Sequence, residues 1–172
     1  MNIPDFYDYL TRARRDLWTF LESLPDEVLS RAVIPGPRFH CLKDLVFHMA
    51  DVEDGWSHMT ILHDMPIQAS FPGLENAQDS PYKANMPLEL LLNYWRAVEK
   101  STLEYLVNLT PQELARAVMD DSRGKLEPFA VEGLLWHVMQ HEVRHTAQVV
   151  VLSRQMGFEP PALDLLYYLP SV

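Results

Sequence analysis

The stretch LLWHVMQHEVRHTAQVVVL (residues 134–152) places three histidines at four-residue intervals inside an apolar pattern. The three are His137, His141 and His145. Residues four apart lie one above another on a helix, because an α-helix has about 3.6 residues per turn. The stretch therefore predicts a long core helix over residues 131–156 that carries a row of imidazoles.

The angles around this helix separate the three histidines. At about 100° per residue, His141 and His145 point about 40° apart, and the direction between them is also that of Leu134 and Leu152. Both side chains are therefore expected at the centre of the buried face. His137 lies about 60° from that centre, which makes it a weaker candidate for a metal ligand.

Three further segments repeat apolar residues at three- and four-residue steps, which is typical of amphipathic helices. They predict helices over residues 4–23, 41–63 and 87–109, in addition to the helix over 131–156. Few stretches alternate apolar and polar residues strictly enough to indicate strands. The sequence therefore predicts an all-α fold, a four-helix bundle.

The segment between the second and third predicted helices, residues 64–86, has little periodicity and contains Pro66, Pro72 and Pro81. About 23 extended residues can span more than the length of a helix of roughly 30 Å. The second and third helices can therefore run parallel, joined by a long crossover.

A weak internal repeat also bears on the arrangement of the helices. LESLPDEVLSRAV (residues 21–33) resembles LVNLTPQELARAV (residues 106–118), and each segment follows a long helix and precedes a histidine-bearing one. If the similarity is not due to chance, the second and fourth helices are equivalent and face each other across the core.

The second helix contributes another histidine to the predicted core, because His48 shares a helix face with Leu45 and Val52. A buried imidazole without a partner costs about 1–3 kcal/mol. A hydrogen-bonded core histidine is the simplest interpretation of any one of them. Three histidines from two helices favour a divalent metal ion, which satisfies all three and leaves coordination positions open.

Residues 141–145 read HEVRH and match the H-E-x-x-H motif of zinc proteases, in which the glutamate is the general base. Such proteases need a sheet edge to align a peptide, and the chain offers no clear strand for one. Glu142 also points about 80° away from the midpoint of the two histidines. A zinc protease is therefore the least favoured function.

Polar residues near the predicted ligands could support them. Asp44 and Asp51 lie four residues before and three after His48, within reach of a ligand N–H. Gln148 lies one turn beyond His145 and could hydrogen-bond a metal-bound water. The alternatives are a solvated helix flank for the two aspartates and a backbone partner for the glutamine.

Composition narrows the class of protein. The chain has 172 residues, 48% of them hydrophobic, which predicts one domain over residues 1–172. The net charge of −10, with no Lys/Arg cluster, argues against a nucleic-acid partner. No apolar run reaches membrane-spanning length and the start lacks a signal-peptide pattern, so we expect a cytoplasmic protein without membrane association.

Two motifs together resemble a known family. LKDLVFHMADVEDGW around the second-helix histidine and HVMQHEVRHTAQ in the last helix are similar to the DinB/YfiT-like superfamily of metal-dependent enzymes. Its W-x-x-x-x-H-x-x-x-H-x-x-Q signature falls on Trp136, His141, His145 and Gln148. The resemblance implies an up-down-down-up bundle in which His48, His141 and His145 bind zinc or nickel.

The resemblance constrains function loosely, since members of similar fold include thiol S-transferases and a thiol-dependent isomerase. It implies a metal-dependent transferase or hydrolase whose partner is a small-molecule thiol or electrophile. The alternative is a non-enzymatic, stress-related binding protein with a structural metal, completed by a fourth ligand such as His137 or Asp51. The apolar segment LDLLYYLP (residues 163–170) is expected either to cover the bundle or to form a homodimer interface.

Overall fold

A computed structural model describes residues 1–75, 77 and 82–171 of the chain. Pro81, which contributed to the prediction of the crossover, lies outside the described residues. The elements in chain order are α1 (Ile3–Glu22), α2 (Asp26–Leu29), α3 (Leu42–Asp54), a π-helix (Gly55–Leu62), a 3-10 helix (Ile67–Ser70), α4 (Leu88–Val107), α5 (Pro111–Ala115), β1 (Ala117–Asp120), β2 (Glu127–Ala130), α6 (Val131–Gln155) and a 3-10 helix (Leu165–Tyr168).

The four long predicted helices are confirmed as α1, α3 with its π-helical continuation, α4 and α6. Local signals account for their ends. The side chain of Asn2 accepts a hydrogen bond from the backbone N–H of Asp5 at the start of α1, where Pro4 occupies the first turn. At the end of α6, Gly157 has a φ of 88°, a conformation that favours glycine.

Contacts between α3 and α4 show that these two helices run parallel. The ring of Phe47 lies 5.8 Å from that of Tyr94, and eleven residues later, in the π-helical continuation of α3, the imidazole of His58 contacts Ser101. The contacting positions thus increase together along both helices. The long crossover predicted from residues 64–86 makes this parallel order feasible.

The remaining directions follow from the contacts of α6. Phe6 contacts Trp136 and Arg14 contacts Glu142, so α1 and α6 run parallel.

Along α3 the order is reversed, because His48 contacts His145 whereas Trp56 contacts His137. α3 and α6 therefore run antiparallel, and the bundle is up-down-down-up, as predicted. The two histidine-bearing helices also face each other, in agreement with the internal repeat.

The predicted helical bundle carries one small sheet that the sequence pattern did not indicate. β1 and β2 form an antiparallel hairpin in which Ala117 pairs with Ala130 and Asp120 with Glu127. Each strand has only four residues, and Pro128 interrupts the alternation of the second, so the pattern was too short to show a period of two. The hairpin runs directly into α6 and fixes where that helix starts.

The apolar core consists of two clusters that meet at a polar layer. Along α1, Ala13 belongs to one cluster and Leu17 to the other, and the buried Arg14 lies between them. Along α6, Met139 and Val149 belong to different clusters in the same way. The interval between those two residues contains His141 and His145, so the polar layer crosses the bundle at the predicted site. No helix in the described part of the chain is long and apolar enough to cross a bilayer.

Candidate metal centre

Three histidines from two helices converge in this layer. His48 of α3 and His141 and His145 of α6 bring their ligand nitrogens within 4.8 Å of one another. Nε2 of His141 lies 3.0 Å from Nε2 of His48. The antiparallel packing of α3 against α6 thus assembles the three side chains that the resemblance implied.

The environment of the three imidazoles keeps them uncharged. Burial, reinforced by the neighbouring imidazoles and by Arg144, lowers the pKa of His48 to about 4 and that of His141 to about 3. Burial also lowers the pKa of His145. A metal-binding histidine must be neutral, because the coordinating nitrogen needs a free lone pair. At pH 7 this donor set therefore fits a divalent cation.

Gln148 determines which nitrogen of His145 carries the proton. Its Oε1 lies 2.6 Å from Nδ1 of His145. An amide oxygen can only accept, so Nδ1 donates and the lone pair is left on Nε2. Partners of this kind fix the orientation of metal-binding histidines. The sequence indicated Gln148 as a residue near the site, but the structure shows it contacting the imidazole.

An aromatic side chain in the loop before α3 covers the group. The ring of Phe39 lies 4.8 Å from that of His48 and 5.8 Å from that of His145, measured between centroids. The guanidinium carbon of Arg38 lies 5.1 Å from the centroid of Phe39. Neither residue was found by sequence reasoning, because a loop without periodicity gives no signal of where its side chains point.

The two aspartates that flank His48 in sequence have other roles in the structure. Asp44 accepts hydrogen bonds from the backbone N–H groups of His40, Cys41 and Lys83, so it caps the start of α3 and fastens the crossover to it. Asp51 is half-buried, and burial followed by the nearby Asp54 raises its pKa. None of the described hydrogen bonds joins either Asp44 or Asp51 to His48.

His137 lies outside the group of three. Its ring packs against Trp56 at 5.1 Å and is 6.3 Å from the ring of His141. This placement agrees with its angle on the helix, which put it at the edge of the buried face. The described His, Cys, Asp and Glu side chains supply three members of the group, His48, His141 and His145, and no fourth.

Glu142, the glutamate of the HEVRH segment, is directed away from the histidines. It is buried, and its two oxygens accept from Nε of Arg14 at 2.7 Å and from Nη2 at 2.6 Å. Helix geometry put Glu142 on the flank of α6, and α1 packs on that flank. A glutamate bound in this way is not placed to act as the general base of a zinc protease.

Arg14 also connects α1 to the other long helices. Besides Glu142 of α6, its guanidinium donates to Glu53 of α3 at 2.7 Å, and to Glu99 of α4 and the hydroxyl of Tyr7 at 3.1 Å each. All five of its N–H donors are therefore used. Sequence reasoning missed this cluster, although a charged residue between Ala13 and Leu17 on an apolar helix face was a signal for it.

An up-down-down-up bundle with three neutral histidines between two helices defines a class of candidate metal proteins. The chain belongs to the DinB family, whose model matches residues 1–171. No curated protein matches it.

Solved structures are similar to the chain along most of its length. A conserved protein from Enterococcus faecalis has a TM-score of 0.74 at 18% identity, and the match covers 92% of this chain and 99% of the other. YfiT from Bacillus subtilis, a probable metal-dependent hydrolase with an unusual four-helix bundle topology, has a TM-score of 0.69 at 18% identity, with 91% and 89% covered. A DinB-like protein from Bacillus cereus has a TM-score of 0.59 at 22% identity, with 91% and 94% covered. At these identities the likeness shows the fold.

Proposed function

We propose that the protein is a metal-dependent enzyme that binds a divalent ion, zinc or nickel, through His48, His141 and His145. The observation that carries the proposal is the convergence of three neutral imidazoles within 4.8 Å of one another. The family membership supports it, as does the similarity to YfiT, a probable metal-dependent hydrolase.

The proposed reaction class is transfer or hydrolysis of a small electrophile, with a low-molecular-weight thiol or water as the nucleophile. A divalent ion supplies a Lewis acid that lowers the pKa of a bound thiol or water. His48 and His141 remain neutral and offer their lone pairs at neutral pH. Gln148 orients His145, and Phe39 packs against the rings of both His48 and His145.

The same geometry supports an open site over a structural one. Structural zinc sites are closed by four protein ligands, whereas catalytic sites keep a position for water or substrate. Of the two fourth-ligand candidates, His137 packs on Trp56, and Asp51 is outside the group of described metal-ligating side chains.

Elemental analysis of protein purified without a histidine tag, followed by a thiol-conjugation screen with several electrophiles, tests the proposal. We expect about one divalent ion per chain and thiol-dependent turnover, with both lost in His48→Gln. The control is His63→Asn, which alters an exposed histidine whose positive φ asparagine tolerates. A wild-type protein without metal, or a metal-loaded protein without turnover on any electrophile, would contradict the proposal.

A further inference from the structure

Two exposed arginines flank the three-histidine group. Nη2 of Arg144 lies 3.4 Å from Nε2 of His145. Arg38 stacks on Phe39, whose ring contacts both His48 and His145. Arg144 comes from α6 and contacts His145 directly, whereas Arg38 comes from the loop before α3 and is linked to the group through Phe39.

These two arginines differ from most others in the chain. The net charge is −10, and six arginines are paired with carboxylates. The paired arginines are Arg12, Arg14, Arg15, Arg96, Arg116 and Arg123. Within the described residues, neither Arg38 nor Arg144 forms an ion pair. A protein with an excess of carboxylates thus has, beside its candidate site, two guanidiniums to which none of the described carboxylates is paired.

Metal binding would leave one of the guanidiniums without its hydrogen-bond partner. The Nε2 lone pair of His145 accepts from Arg144, and the same lone pair cannot be shared with a cation. Arg144 is exposed and can turn away from the imidazole. Two guanidiniums would then lie near a divalent ion, and the described ion pairs assign no carboxylate to either of them.

We propose that the small molecule bound at this site carries an anionic oxygen group, of the carboxylate or phosphate kind, that Arg38 and Arg144 bind. The planar guanidinium matches both groups with paired hydrogen bonds. This inference rests on the proposed function and adds the charge of the substrate or thiol to it. The two arginines are specificity residues, and the histidines would hold the ion to which the reacting end of the molecule binds.

Two thiols of similar size, one anionic and one neutral, test the inference in cobalt-substituted protein. 3-Mercaptopropionate and 2-mercaptoethanol are titrated separately, and thiolate binding is followed by the change in cobalt absorption. The measured quantity is the affinity for 3-mercaptopropionate divided by the affinity for 2-mercaptoethanol. We expect this ratio to be at least about 10-fold higher in the wild type than in the Arg38→Gln/Arg144→Gln double variant. Arg154→Gln, which removes an exposed arginine from the last turn of α6, the helix that carries Arg144, is expected to retain the wild-type preference.

An arm without metal separates failure of the inference from failure of the proposed function. The side-chain N–H signals of the arginines are followed by NMR while inorganic phosphate or glutarate is added to the metal-free protein. We expect Arg38 and Arg144 to shift in the wild type and Arg154 to remain unchanged. If the wild type binds no cobalt, the proposed function fails and this arm alone decides the inference. Equal affinity for the two thiols in cobalt protein, or unshifted Arg38 and Arg144 signals in metal-free protein, overturns it.

Discussion

His145 has different partners on its two nitrogens, and this difference explains what Gln148 contributes. The amide oxygen of Gln148 fixes the proton on Nδ1 and leaves the lone pair on Nε2, which accepts from Arg144. Losing such a partner typically lowers metal affinity by about 10- to 100-fold. We expect Gln148→Ala to weaken zinc binding by that factor in a chelator competition.

Gln140→Ala is the matched control for this prediction, since Gln140 is exposed on the same helix and one residue from a predicted ligand. Its zinc affinity should equal that of the wild type. Equal losses in the two variants would assign the effect to the helix and not to the hydrogen bond.

The lowered pKa values of His48 and His141 make the stability of the metal-free protein depend on pH. The folded protein holds these pKa values at about 4 and about 3, below the ordinary value of 6.5. Between pH 6.5 and about 4 the unfolded chain therefore binds more protons than the folded one. Stability falls as pH decreases wherever this is so. We expect the contribution of these two histidines to the free energy of unfolding to be complete above about pH 6.5 and to decrease steadily towards pH 4.

Urea denaturation with a chelator present at pH 7, 6 and 5 measures this dependence. His141→Gln removes one of the two groups, so its free energy of unfolding should change less steeply over the same interval. A variant as steep as the wild type would show that His141 is not the source of the effect.

Sequence reasoning succeeded for residues on regular helices and failed for residues in loops. The angle between His141 and His145 follows from their spacing on one helix, so their common direction was predictable. Phe39 and Arg38 belong to a loop, and their proximity to His48 depends on how residues 35–41 turn into α3. That turn is fixed by Asp44, whose bonds to backbone N–H groups no periodic pattern reveals.

At the level of whole elements, Arg14 holds α1 against α3, α4 and α6 through three buried carboxylates. Removing one partner of a buried ion pair typically costs about 3–5 kcal/mol, because the remaining charges are left uncompensated. We expect Arg14→Met to lower the free energy of unfolding by about that amount in urea denaturation. The ligand-bearing helices α3 and α6 would lose the guanidinium that links both of them to α1.

Lys100→Met provides the comparison, because it also replaces a helical cation by methionine. Lys100 pairs with Glu104 at 3.8 Å, and both side chains are largely exposed. Exposed pairs of this type contribute about 0–1 kcal/mol. A similar loss in the two variants would mean that the buried cluster does not stabilise the bundle.

The elements themselves were predictable to different degrees. Long helices carry several turns of apolar repeat, so α1, α4 and α6 could be placed within about two residues. The β1–β2 hairpin could not, because four residues contain too few alternations to distinguish a strand from a loop. The continuation of α3 as a π-helix from Gly55 was also not indicated by the sequence. A π-helix differs from an α-helix in its backbone hydrogen bonds, and over eight residues the spacing of apolar side chains is too similar to distinguish the two.

For the molecule as a whole, the C-terminal segment has two kinds of side chain. Tyr168 packs against Tyr9 and donates to Asp16, so this part of the segment covers the bundle. Leu166 and Tyr167 are 74% and 68% exposed. The homodimer stays a prediction, and we expect these two residues to form its interface. Sedimentation velocity should show a dimer for the wild type and a monomer for Leu166→Glu, whereas a monomeric wild type would contradict it.

Metal binding is expected to stabilise the whole bundle, because the ligands come from helices that are far apart in sequence. An ion at about 1,000 times its dissociation constant stabilises the folded state by about 4 kcal/mol. In a chain of this size that corresponds to a rise in Tm of about 8–16 °C. We expect zinc to produce this rise in the wild type and none in His48→Gln. The rise should also occur in His137→Gln, because the ring of His137 packs on Trp56 and lies outside the group of three. A rise that survives in His48→Gln but disappears in His137→Gln would place the ion against α6 alone, and the antiparallel contact of α3 with α6 would no longer explain the site.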